Sequence, residues 1–81
     1  MLSFEDFTAQ AIAILAIPGD RQIAPGSRLS EDIEFDSLDF FIFVTFIEEI
    51  SGAAPGSAEG HPLATMGDGF DLYAALCREA P

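Results

Sequence analysis

Ser37, His61 and the aspartates of this chain are the residue types from which a nucleophilic triad is built. Such a site needs a base held against the serine, a third group orienting the base, and donors for an oxyanion. The one histidine stands between Gly60 and Pro62, a turn-forming context better suited to a solvated loop residue than to a buried base. A chain of 81 residues also has little room for a substrate cleft, so no catalytic residue is expected and the protein reads as a non-enzyme. Asp32, Glu34 and Asp36 have the alternation that opens a calcium-binding loop. That loop then requires glycine at its sixth position and an acid at its twelfth, and here those positions hold Ser37 and Phe43. No metal site is expected. Cys77 is the only cysteine, which excludes an internal disulfide and a thiolate cluster. It fits a reducing, cytoplasmic setting and reads as a small apolar side chain.

A different chemistry is open to Ser37. With Asp36 as helix N-cap, the Asp36 carboxylate satisfies the first free amides and Ser37 falls at the first helical position, its hydroxyl directed to solvent. A phosphate attached there would lie at the positive end of a helix. The plainer alternative is that Ser37 is itself the cap, since serine is common at helix starts.

Three segments carry the helical period that could position this junction. In the first, Phe4 to about Ala16, one stripe is formed by Phe4, Phe7, Ala11, Ile14 and Leu15; Ser3 precedes it, Asp6 follows the cap by three, and Pro18-Gly19 ends it. The second runs from Leu38 to about Ile50 and stops at Gly52. The third, Met66 to about Glu79, has the stripe Met66, Phe70, Tyr73, Ala74 and Cys77, with Thr65 and Asp68 repeating the capping pattern. Gly67 and Gly69 are expected to weaken its first turn by roughly 1 kcal/mol each relative to alanine. No convincing period-two run occurs, so the fold class is all-α.

Residues 17–36 make an unusually long connection with apolar anchors at Ile23, Leu29, Ile33 and Phe35. It reads as a crossover lying on the bundle and allowing two helices to run in the same direction. Residues 53–64 contain Pro55, Gly56, Gly60 and Pro62, leaving room for at most a weak helical turn around Ser57–Glu59.

The second helix is apolar on nearly all sides. Leu38, Phe41, Val44 and Ile47, broadened by Phe43 and Ile50, already supply a core stripe, which leaves Phe40, Ile42 and Phe46 in excess. Phe40 and Ile42 stand about 200° apart on the wheel, so one core face cannot hold both comfortably. Ile42 is expected on the surface beside Ser37, and Phe46 in the core.

There are 14 acidic and 3 basic residues, a formal net charge of −11. That balance argues against nucleic acid and against a charged bilayer surface, and it favours basic protein partners. Yet 49% of the residues are apolar, enough to fold. The longest apolar stretch, Phe40–Ile47, is far short of the roughly 18 residues a membrane span requires. The acids Glu5 and Asp6 stand where a secretory leader carries positive charge.

The stretch from Ser27 to Phe40, with Asp36-Ser37-Leu38 at its centre, resembles the modification site of the acyl carrier proteins. The resemblance extends to the chain length, the acidity, the long first loop, the Glu48-Glu49 pair and the Leu63-Ala64-Thr65-Met66 start of the last helix. It implies a single carrier domain over residues 1–81, a small four-helix bundle with three main helices, a long first loop and a weak short third helix. It also implies that a phosphopantetheinyl transferase, using coenzyme A and magnesium, attaches 4′-phosphopantetheine to Ser37, beside the cap Asp36. The arm then carries acyl groups as thioesters to acyl-transferring or condensing enzymes of fatty-acid, polyketide or related biosynthesis. Leu38, Asp39, Ile42, Glu48 and Glu49 are the expected contacts for basic docking patches on those enzymes, and a monomer is expected. Three features depart from the family pattern. Glu34-Phe35 replace a glycine commonly found just before Asp-Ser, an apolar run from Phe41 to Val44 replaces polar residues, and Gly60 and Pro62 erode the short helix. The competing reading is an unmodified acidic helical module that binds a basic partner.

Overall fold

A computed structural model describes residues 1–18, 22–58 and 60–79. Among these, the regular elements are three helices: α1 Phe4–Leu15, α2 Ser37–Ser51 and α3 Met66–Glu79. Each begins where its capping signal stands. The Asp6 amide donates to Ser3 Oγ (3.1 Å), and the Asp68 amide to Thr65 Oγ1 (3.1 Å). α2 has a full capping box: the Asp39 amide donates to Asp36 Oδ1 (2.8 Å) and the Asp36 amide to Asp39 Oδ2 (3.1 Å). Asp68 Oδ2 accepts from the amides of Ala64 (2.9 Å) and Thr65 (3.0 Å), and those bonds hold its carboxyl below the ordinary aspartate value. α2 ends at Gly52, whose φ of 76° is the left-handed cap that glycine takes without a steric cost.

The core is aromatic. Phe7 is fully buried, and its ring lies 5.5 Å from those of Phe70 and Tyr73, 5.6 Å from Phe46 and 6.0 Å from Phe43. One α1 side chain thus touches both other helices. The faces differ in part from the stripes read off the sequence. On α1, Phe7 and Ala11 are buried, but Ile14 is 49% exposed. On α3, Gly69, Leu72 and Leu76 join Met66 and Tyr73 in the interior, while Phe70, Ala74 and Cys77 are half-buried. On α2 the interior face is Phe43, Phe46 and Ile47, flanked by Phe40, Val44 and Ile50.

The two glycines of α3 are explained by close approach. A β-carbon at Gly69 would overlap the Phe43 ring, and one at Gly67 would lie 2.8 Å from the Pro25 carbonyl oxygen. Gly69 lets α3 pack tightly on α2, and Gly67 admits the first loop.

That loop is fastened to the start of α3. Leu29 N–H donates to Ala64 O (2.9 Å), Met66 N–H to Ser27 O (2.9 Å) and Gly67 N–H to Pro25 O (2.8 Å), around an isolated antiparallel bridge between Arg28 and Thr65. Leu29, Ile33 and Phe35 are buried and Ile23 packs at the edge of the core, as the anchors require. The expected turn at Ser57–Glu59 is not a helix among the described residues. Residues 55–58 form turns, with Ser57 N–H donating to Ala54 O (3.1 Å), and Glu59 lies outside the described residues. No helix among the described residues is long and apolar enough to cross a membrane.

Candidate functional site

The first loop delivers the chain to α2 through a fixed sequence of contacts. Phe35 N–H donates to Leu29 O (2.9 Å), and the Phe35 ring packs edge-on against Phe40 (5.3 Å) and Phe43 (5.5 Å). Arg28 grips Asp32 from both its backbone amide (2.8 Å) and its guanidinium, and pairs with Glu31. These hydrogen bonds hold the Asp32 carboxyl below its ordinary range.

Between these anchors, Glu34 has φ of 65°. The left-handed region costs a residue with a β-carbon roughly 1–2 kcal/mol. A glycine, which the resembled family commonly has just before Asp-Ser, would take this φ without that cost. Glu34→Gly removes this strain, is opposed by the entropy glycine adds to the unfolded state and by loss of the Glu34 side chain's own interaction, and is expected to leave a net gain of at most about 0.5–1 kcal/mol. A rise of a few degrees in Tm would follow for a domain of this size. An unchanged or lower Tm would show that the Glu34 side chain offsets its own strain.

Ser37 follows at the first helical position and is exposed. Capping is done by Asp36 and Asp39, so the Ser37 hydroxyl has no structural task. The first intrahelical bond is from Phe40 N–H to Asp36 O (3.1 Å), which leaves the amides of Ser37 and Leu38 ahead of it at the helix start. The exposed Ser37 side chain thus stands at the positive end of α2, where the helix dipole favours negative charge.

The remaining expected residues divide. Leu38 is 64% and Phe41 69% exposed, one turn apart beside Ser37. The sequence wheel had counted both toward the core stripe. Asp39 and Ile42 are half-buried, and Glu49 is exposed. Glu48 departs from its expected place on the surface. It is 8% exposed, and its Oε2 accepts the amides of Gly56 (2.9 Å) and Ala58 (3.0 Å). Its neighbour in sequence, Glu49, is left to face solvent. Phe41 is the exposed residue that sequence reasoning missed as a surface feature; its position four residues after Ser37 was the available signal. It lines a groove of about 370 Å³ with Thr45, Glu48, Glu49, Ala53, Pro55 and Gly56. His61 is exposed and borders a separate cleft of about 220 Å³ with Pro62, Asp68, Asp71, Leu72 and Ala75, a set that does not include Ser37.

No protein-family model, curated protein or solved structure matches this chain. The functional reading therefore rests on the geometry of the Asp36-Ser37-Leu38 junction and on the resemblance carried by the sequence around it.

Proposed function

We propose that this protein is an acyl-carrier-type shuttle and not an enzyme, with Ser37 as the attachment point for 4′-phosphopantetheine and the described helices as a bundle of the acyl-carrier type. The observation that carries the reading is the division of labour at the start of α2, where the Asp36–Asp39 box does the capping and leaves an exposed, unengaged hydroxyl between them. In the loading step Ser37 Oγ forms a new bond to the phosphorus that bears the pantetheine arm of coenzyme A. The pyrophosphate P–O bond breaks, adenosine 3′,5′-bisphosphate leaves, and the hydroxyl proton passes to a base on the transferase. The arm supplies a thiol that holds acyl groups as thioesters. This chain's own part is to hold the attachment point at a rigid helix end, so that the cargo reaches each partner at high effective concentration.

Partners would be enzymes of fatty-acid, polyketide or related biosynthesis that combine basic residues with an apolar contact. Leu38 and Phe41 offer the apolar part and Glu49 and Asp36 the charge, in a setting of −11 net charge that steers basic surfaces. Such contacts are salt-sensitive and exchange readily. The same exposed pair would also serve an unmodified module that docks a basic partner, and covalent loading separates the two. Incubation with coenzyme A, magnesium and a broad-specificity phosphopantetheinyl transferase is expected to add one phosphopantetheine per chain, read by intact mass. Ser37→Ala abolishes the addition. Folded wild-type protein that never gains mass would favour the docking module, and addition at Ser27 or Ser30 would move the site off the helix start.

A further inference from the structure

We propose that residues 53–58 form a hinged lid on α2 and that Glu48 is its latch. The segment leaves α2 at Gly52 (φ 76°) and turns again at Gly56 (φ 90°), two left-handed positions open to solvent. Between and beyond them stand only small or ring-limited residues, Ala53 to Ala58. The segment is folded on itself: Ser57 N–H and Ser57 Oγ both donate to Ala54 O, at 3.1 and 2.6 Å. Its polar attachment to the helix near the lid tip is one carboxylate oxygen, Glu48 Oε2, which takes the amides of Gly56 and Ala58 together. Its apolar attachments are two methyl groups, that of Ala58 at the tip, 4% exposed against the core, and that of Ala53 beside the Gly52 hinge, half-buried. A unit with its own internal bonds and so little buried apolar surface opens at lower cost than the helices it rests on.

The lid forms one wall of the groove that also contains Phe41, Thr45 and Glu49. Phe41 lies one turn beyond Ser37 on the same side of α2. Release of the Glu48 latch therefore widens the groove on the face that presents Ser37, while the contacts of α2 with α3 stay in place. The link to a group carried on Ser37 rests on the carrier reading; the latch does not.

Amide hydrogen exchange of the full, unmodified chain, followed by NMR, tests the latch. In the wild type, Gly56 and Ala58 are expected to be protected, yet to exchange faster than the core amides of Ile47 and Leu72. Glu48→Ala is expected to speed Gly56 and Ala58 by roughly tenfold or more, the scale of hydrogen bonds to a charged acceptor, and to leave Ile47 and Leu72 at their wild-type ratio to each other. Glu48→Gln keeps an acceptor oxygen and is expected to stay closer to the wild type than to Glu48→Ala. Three results would overturn the proposal: Gly56 and Ala58 exchanging at the core rate in the wild type, their being unprotected there, or Glu48→Ala speeding every amide equally. Should Glu48→Ala fail to fold, the wild-type pattern and Glu48→Gln still decide. No arm uses a loaded Ser37, so failure of loading and failure of the latch are separate results.

Discussion

Phe7→Ala is expected to remove about 3–5 kcal/mol of stability, the range for truncating a large buried aromatic side chain. Small domains hold roughly 0.05–0.15 kcal/mol per residue, so a loss of this size consumes a large part of the total for 81 residues. The reason is position. Phe7 is the α1 ring in contact with Phe43 and Phe46 of α2 and with Phe70 and Tyr73 of α3, and none of those rings can close the gap without leaving the others. Urea unfolding followed by circular dichroism would read the change as a shift in midpoint. Phe7→Leu, which keeps much of the volume, should cost far less. A loss under about 1 kcal/mol for Phe7→Ala would mean that α1 is not held through this side chain.

The second large effect has a sign that local propensity gets wrong. In an exposed helix, glycine to alanine stabilises by about 1 kcal/mol. At Gly69 the added methyl overlaps the ring of Phe43, itself fully buried and fixed by Phe7 and Phe35. Overpacking of this kind costs typically 1–3 kcal/mol. Gly69→Ala is therefore expected to lower Tm by several degrees. Phe43→Leu made in the same chain should recover part of the loss, giving a favourable coupling in a double-mutant cycle. A Tm that rises in Gly69→Ala alone would show that α2 and α3 can separate enough to admit the methyl, and that Gly69 is not there for packing.

The two glycines of α3, Gly67 and Gly69, also mark where the sequence was legible and where it was not. Helix starts are local events, and the pairs Ser3/Asp6, Asp36/Asp39 and Thr65/Asp68 announced all three in the chain itself. The anchors Leu29, Ile33 and Phe35 were equally plain, because isolated apolar residues in a long polar connection have few other uses. Gly67 and Gly69 looked like weak points because propensity is counted along one helix. Their purpose lies in Pro25 and Phe43, far away in sequence.

The orientation of α2 was hidden for a different reason. A helix apolar on nearly every side has no contrast from which to read a buried face. The stripe through Leu38, Phe41, Val44 and Ile47, broadened by Phe43 and Ile50, with Phe46 also expected inside, holds at Phe43, Phe46 and Ile47, but packing turns its edge at Leu38 and Phe41 out to solvent. At the candidate site, Ser37 and its cap followed from three adjacent residues. Glu48 did not: an acid beside another acid reads as surface charge until the amides of Gly56 and Ala58 are brought to it.

The fastening of the first loop to the start of α3 has a mechanical consequence. The bonds from Pro25, Ser27 and Leu29 to Ala64, Met66 and Gly67 join two stretches of chain that enclose the whole of α2. Tension applied at the two ends would be borne by the direct contacts of α1 with α3, such as Phe7 on Phe70 and Tyr73, and by this clip. The segment bearing Ser37 lies off that load path and stays slack until the clip shears. Mounted in this way, α2 keeps its geometry while force acts on the stretches of chain before and after it.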